Sequence, residues 1–124
     1  MKMEVTSFVH AVLTQDEGKL RTFFAENAVI RWPCTNECFS VDEYLRANCD
    51  YPGDWDGEIE RIEEAGDTII VVLRVFPVDK CFSVHAVSFI KTQENVIVEL
   101  DEYWADDGDI PDWRKAMGIG RPIM

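Results

Sequence analysis

His85 lies in the stretch 81–92, CFSVHAVSFIKT, and Asp101 in the stretch 96–104, VIVELDEYW, with the polar QEN at 93–95 between them. Imidazole is the side chain best matched to proton transfer near neutral pH, and a carboxylate on a neighbouring strand can orient it or act as the base. If the turn pairs these strands closely, Ser88 or His85 comes near Asp101, so His85 and Asp101 are the candidate catalytic pair. The plainer reading of the same residues is a histidine hydrogen-bonded at a sheet surface or subunit seam. Arg74 is the one charge in the apolar stretch 68–78, TIIVVLRVFPV. Pointing inward it needs a carboxylate such as Glu99 or Asp101; facing solvent it needs none. Trp32, Tyr44, Trp55, Tyr103 and Trp104 fall at strand ends and on a helix, where aromatic rings can line the mouth of a cavity for a flat apolar ligand. With Arg74 they form the candidate ligand-binding set, and ordinary core packing is the alternative for each.

Other chemistries fit less well. Cys34 and Cys38 have three residues between them, and no second Cys pair or His pair completes a zinc site. Cys34, Cys38, Cys49 and Cys81 read instead as reduced thiols, in keeping with a cytosolic location. Asp106, Asp107, Asp109 and Asp112 lack the loop pattern and distal glutamate of a calcium site, so a solvated loop is expected. No metal is therefore expected. Twenty-four acidic residues against twelve basic ones give a net charge of -12. That charge, with the basic residues scattered, disfavours nucleic acid and anionic membrane surfaces as partners. The first residues, MKMEVTSFVHAVL, do not read as a signal peptide, and no apolar run is long enough to span a membrane. A cytoplasmic protein is expected.

The elements that must position these residues follow from pattern and punctuation. Val5, Phe8, Val9, Val12 and Leu13 mark one face of a first helix. Asp16 and Glu17 open a short second helix through Leu20, Phe23 and Phe24, closed at Asn27. A short strand at 28–32 stops at Pro33, and 35–37 reads as a loop. Ser40 and Glu43 form a capping box for a third helix from 41 to about 48, with Tyr44 and Leu45 facing inward. Four strands then follow at 55–64, 68–78, 81–92 and 96–104, spaced as an antiparallel meander. In the first of them Ile59 and Ile62 cannot share a face without a bulge. Residues 105–124 form an irregular tail, and the 124 residues, 47% of them apolar, suit one α+β domain.

The order helix, helix, strand, helix and four antiparallel strands resembles the nuclear-transport-factor-like superfamily, and the stretch 96–114, VIVELDEYWADDGDIPDWR, resembles the last strand and exit loop of its SnoaL-like branch. The stretch 82–90, FSVHAVSFI, is similar to that branch's penultimate strand. The resemblance implies three N-terminal helices packed in the concavity of a strongly curved, mainly antiparallel sheet, a cone-shaped α+β barrel. It implies an apolar pocket for a small hydrophobic molecule, and a homodimer formed through the sheet. Superfamily activities include isomerases, dehydratases, cyclases and epoxide hydrolases, so the fold alone selects no reaction. The ketosteroid isomerases of the superfamily carry a tyrosine on the first helix; here that helix offers only Phe8 and His10. Acid-base chemistry by His85 and Asp101 without metal or cofactor is the leading expectation, and a non-catalytic binding or dimerisation module is the alternative.

Overall fold

In a computed structural model, which describes residues 3–123, the chain is α+β, with one six-stranded mixed sheet and four helices. Helix α1 (Val5–Thr14) buries Phe8, Val9 and Ala11 on its apolar side. It ends at Gln15, whose φ of 54° breaks the helix, and whose side-chain amide donates to the carbonyls of Asn48 (2.8 Å) and Tyr51 (2.6 Å). Helix α2 (Glu17–Arg21) is capped by Asp16, which accepts from the Lys19 amide. Helix α3 (Val41–Cys49) has the expected capping box, with both the Ser40 and the Glu43 hydrogen bonds formed. Each such cap is worth about 1 kcal/mol to a helix of this length.

Helix α2 is shorter than its sequence pattern predicts. Strand β1 (Phe24–Trp32) already begins at Phe24, and the Phe23 carbonyl accepts from the Ile97 amide (2.8 Å). Pairing with a neighbouring strand thus captures residues whose local pattern continues the helix. Phe24 still reaches the core, against Phe8 and Tyr44. The expected loop at 35–37 is a single 3-10 turn, Pro33–Thr35, and a short edge strand β2 (Glu37–Phe39). Asn36, at φ 56°, makes the reversal between them.

The meander is formed by β3 (Trp55–Ala65), β4 (Thr68–Pro77), β5 (Val84–Gln93) and β6 (Val96–Asp106). The sheet order is β2-β1-β6-β5-β4-β3; β1 lies parallel to β6 and the other pairs are antiparallel. A bulge between Ile59 and Arg61 lets Ile59 and Ile62 face Leu73 and Val71 on one side of the sheet, as their spacing requires. A second irregularity, between Lys91 and Thr92, does the same for Ile97 and Leu100. The tail, expected to be irregular, contains one short helix, α4 (Asp112–Met117), which is exposed throughout.

The core lies between the helices and one face of the sheet. Leu20, Ile30, Leu45, Ile90, Ile97 and Leu100 are completely buried there, with Phe8, Tyr44 and Val71 around them. Helix α1 approaches β3 at Gly57, where a Cβ would meet the Arg74 carbonyl oxygen at 2.8 Å and a Leu13 methyl at 3.2 Å. The glycine therefore sets how closely helix and strand pack. No helix among the described residues is long and apolar enough to cross a membrane.

Candidate functional site

Strand pleat decides where each candidate goes. Inward Leu100, opposite Ile90, fixes the parity of β6: Asp101 and Tyr103 face away from the helices, whereas Glu102 and Trp104 face towards them. His85 pairs with Ala105 and Arg74, and Asp101 pairs with Phe89. The two expected partners are thus on the open face but four residues apart along β5, about 13 Å at strand rise. They do not form a pair.

Each is instead engaged elsewhere. Asp101 accepts from the Arg31 guanidinium (2.7 Å), which also binds Glu99 (2.6 Å). These hydrogen bonds raise the proton affinity of Arg31 further and hold the Glu99 carboxyl below the usual range. His85 is held through Nδ1 by Asp107 and through Nε2 by Glu60 (2.9 Å), the bulge residue of β3. Asp107 also accepts from the Ser83 hydroxyl. The Asp107 hydrogen bond, followed by charge attraction from Asp107 and Glu60, outweighs desolvation and raises the His85 pKa. The cluster ties β3, β5 and the segment leaving β6. Arg74 lies over the Phe76 ring (5.0 Å), not against Glu99 or Asp101. Tyr103 packs edge-on against Phe89 (6.0 Å) on the open face.

On the helix-covered side the structure gathers Trp32, Tyr44 and Trp104. The Trp32 ring meets Tyr44 at 6.3 Å, Trp104 at 5.5 Å and Phe39 at 4.8 Å, all edge to face. In their midst is Glu102. Its Oε1 accepts from the Trp32 indole N–H (3.1 Å), and its Oε2 accepts from the Ser88 hydroxyl (2.7 Å), the residue opposite it on β5. The carboxyl group is surrounded by protein, although the residue keeps some accessible surface. Loss of hydration raises its pKa, against the opposing pull of the Ser88 and Trp32 hydrogen bonds. Tyr44 is 1% exposed, and its hydroxyl has no hydrogen-bond partner among the described residues. Burial, then the nearby Glu102 and Cys49, raise its pKa well above normal, so it stays a neutral hydroxyl.

Trp55 also lies on this side, at the same end of the sheet, between Tyr51 (5.5 Å) and Phe82 (5.8 Å). Of the expected binding set, Trp32, Tyr44 and Trp104 therefore meet, Trp55 lies at the same end, and Arg74 and Tyr103 face the other way. Residue type and spacing do not single out Glu102. Its signal is the alternation Leu100, Glu102, Trp104, which puts an acid between two inward apolar residues. Among the described residues no group of three or more His, Cys, Asp or Glu is placed to hold a metal ion. Chemically, the cluster offers one carboxyl with elevated proton affinity, a neutral phenol and aromatic rings.

Residues 5–100 match the family model described as the SnoaL-like domain. No curated protein matches in sequence. Among solved structures, a protein assigned as a ketosteroid isomerase from Kribbella flavida superposes with a TM-score of 0.78 at 20% identity, over 95% of this chain and 87% of the other. An epoxide hydrolase of LEH-like type from M. tuberculosis gives 0.65 at 12% identity, covering 82% and 79%. A protein assigned as a SnoaL-like polyketide cyclase from Shewanella putrefaciens gives 0.63 at 14%, covering 92% and 80%. At these identities the likeness is one of fold.

The Glu102 environment carries a pH signature. Below the ordinary glutamate value of about 4.3 the group is protonated in folded and unfolded chains alike. As pH rises, the unfolded chain sheds its proton first, so the folded state is progressively disfavoured until pH passes the raised folded value. Glu102→Gln keeps an acceptor for Trp32 and a partner for Ser88 without this loss. Its thermal midpoint should gain on that of the wild type as pH rises above about 4. A gap that shrinks or stays constant in a melting series would contradict the assignment.

Proposed function

The chain belongs to the SnoaL-like domain family, and from that premise we propose that it binds a small hydrophobic molecule in the recess over Glu102 and transfers protons there. The observation that supports this reading is the carboxyl of Glu102, held by Ser88 and Trp32 beside the packed rings of Trp32 and Trp104. In this reading the sheet curves around the helices, so that its helix-covered face becomes the wall of a cone whose mouth carries Tyr51, Trp55, Phe82 and Trp104. Glu102 takes a proton from the carbon or hydroxyl of the substrate and returns it to a second atom, which isomerises or cyclises without net gain or loss of protons. The two hydrogen bonds from Ser88 and Trp32 hold the carboxyl in place for both transfers. Tyr44, a neutral hydroxyl without a partner among the described residues, donates to the oxygen on which negative charge develops. His85 and Asp101 are on the opposite face and take no part.

A panel of cyclic ketones, enols and epoxides tests this. Glu102→Gln should lower turnover by roughly 10²-fold or more and leave ligand-dependent thermal shifts in place. Unchanged turnover in that variant would remove Glu102 from the chemistry. The second reading, a binding module without catalysis, draws on the edge-to-face packing of Trp32, Phe39 and Trp104, which fills much of the space over the acid. Thermal shifts without turnover by the wild type would select it.

The open face supports a homodimer. Phe89 and Tyr103, 39% and 45% exposed, line a shallow groove of about 300 Å³ with Thr68, Lys91, Glu99 and Asp101. Aromatic rings presented this way beside paired charges suit a self-complementary interface. Sedimentation should show a dimer that Phe89→Glu with Tyr103→Glu converts to a monomer; a wild-type monomer at micromolar concentration would end the proposal.

A further inference from the structure

The polar groups of the recess are unbalanced. Two of its donors, the Trp32 indole and the Ser88 hydroxyl, are spent on Glu102. What remains is the free lone pairs of both Glu102 oxygens and the Tyr44 hydroxyl, 1% exposed and unpartnered among the described residues, which can accept as well as donate. Among the described residues no cationic side chain pairs with Glu102. That contrasts with the open face, where Glu99, Asp101 and Asp107 each have a cation or a histidine.

The walls have the same preference. Trp32, Tyr44 and Trp104 present π-systems, and the negative face of an indole attracts a cation once water is excluded. Trp104 is 40% exposed, so it can move or be covered by a ligand without breaking the core. The net charge of -12 adds a long-range field that concentrates cations at the protein.

From this we infer that the ligand of the recess is an amine carried as an organic cation, its ammonium group on Glu102 and Tyr44 and its apolar part against Trp32 and Trp104. This rests on the reading that the recess is the binding site, and it names the ligand class that site takes. The ammonium supplies the positive charge the recess lacks and neutralises a carboxylate that otherwise stands without a cation in a poorly hydrated position. A neutral alcohol of the same shape fills the aromatic walls but supplies one donor and no charge.

The test uses benzylamine, which is protonated at neutral pH, and benzyl alcohol, which has the same ring and no charge, titrated into the full chain by calorimetry in physiological salt. Benzylamine should bind at least tenfold more tightly than benzyl alcohol. Glu102→Gln should bring that ratio close to one, and Trp104→Ala should weaken both ligands. Asp101→Asn, which removes a carboxylate from the open face, should leave the ratio unchanged. A melting curve for each variant confirms that it is folded. Equal affinities in the wild type, or a preference for the amine that survives in Glu102→Gln, would overturn the inference. Binding of the alcohol without the amine overturns the amine but leaves the recess as the site. If neither binds, both readings fall.

Discussion

The pleat of β6 is the constraint on which the rest of the molecule depends. This strand joins β1 to the meander, parallel on one side and antiparallel on the other. Its inward Leu100 packs between Ile30 and Ile90, all completely buried, and burial of each such side chain contributes about 1.5–3 kcal/mol. With Leu100 fixed, alternation leaves no choice for its neighbours. Two acids adjacent in sequence are sent to opposite environments, Asp101 to a guanidinium at the surface and Glu102 to an aromatic cluster without a cation among the described residues. A one-residue slip would exchange them, and the apolar side chains that set the register forbid it.

The charges of the open face follow a different logic from the single charge inside. Arg31 bridges Glu99 and Asp101, Lys91 reaches Glu99, and His85 is clasped between Glu60 and Asp107. These side chains are roughly a third exposed, so solvent screens the attractions and each contributes little to stability. Their effect is positional: they fix the bulge residue of β3, the start of β5 and the exit from β6 relative to one another. The outer strand β3 carries Glu58, Glu60, Arg61, Glu63 and Glu64, and such a row of charged side chains discourages edge-to-edge association with other sheets. Inside, no such screening operates, and the cost of an unpaired carboxylate appears as elevated proton affinity.

Much of the architecture is legible in the chain because several signals are local. The Ser40 and Glu43 capping box is written in four residues, and the spacing of Ile59 and Ile62, incompatible with a regular strand, demands the bulge that is found between them. What escapes is set by pairing over long distances. Phe24 continues a helical pattern until β6 captures it, and β2 is too short to show a pattern of its own. The candidate site turns on parity. His85 and Asp101 are the residues a chemist picks by type, and they lie on the wrong face to meet the aromatic set; Glu102 is one residue along and carries no distinguishing motif. The position of a bulge near Lys91 and Thr92 decides which of the two acids faces the helices, and the run Val96, Ile97, Val98 offers apolar residues to both faces, so the sequence leaves that parity open.

The proton transfer proposed for Glu102 requires a carboxyl whose proton affinity the fold raises, so that it can both take a proton and return it. Carbon-detected NMR of the side-chain carboxyls, with the Glu102 resonance assigned through its absence in Glu102→Gln, follows that group directly as pH is varied. The expected result is a midpoint clearly above the ordinary glutamate value of about 4.3. A midpoint at or below that value would mean that the Ser88 and Trp32 hydrogen bonds outweigh desolvation, and would contradict the claim.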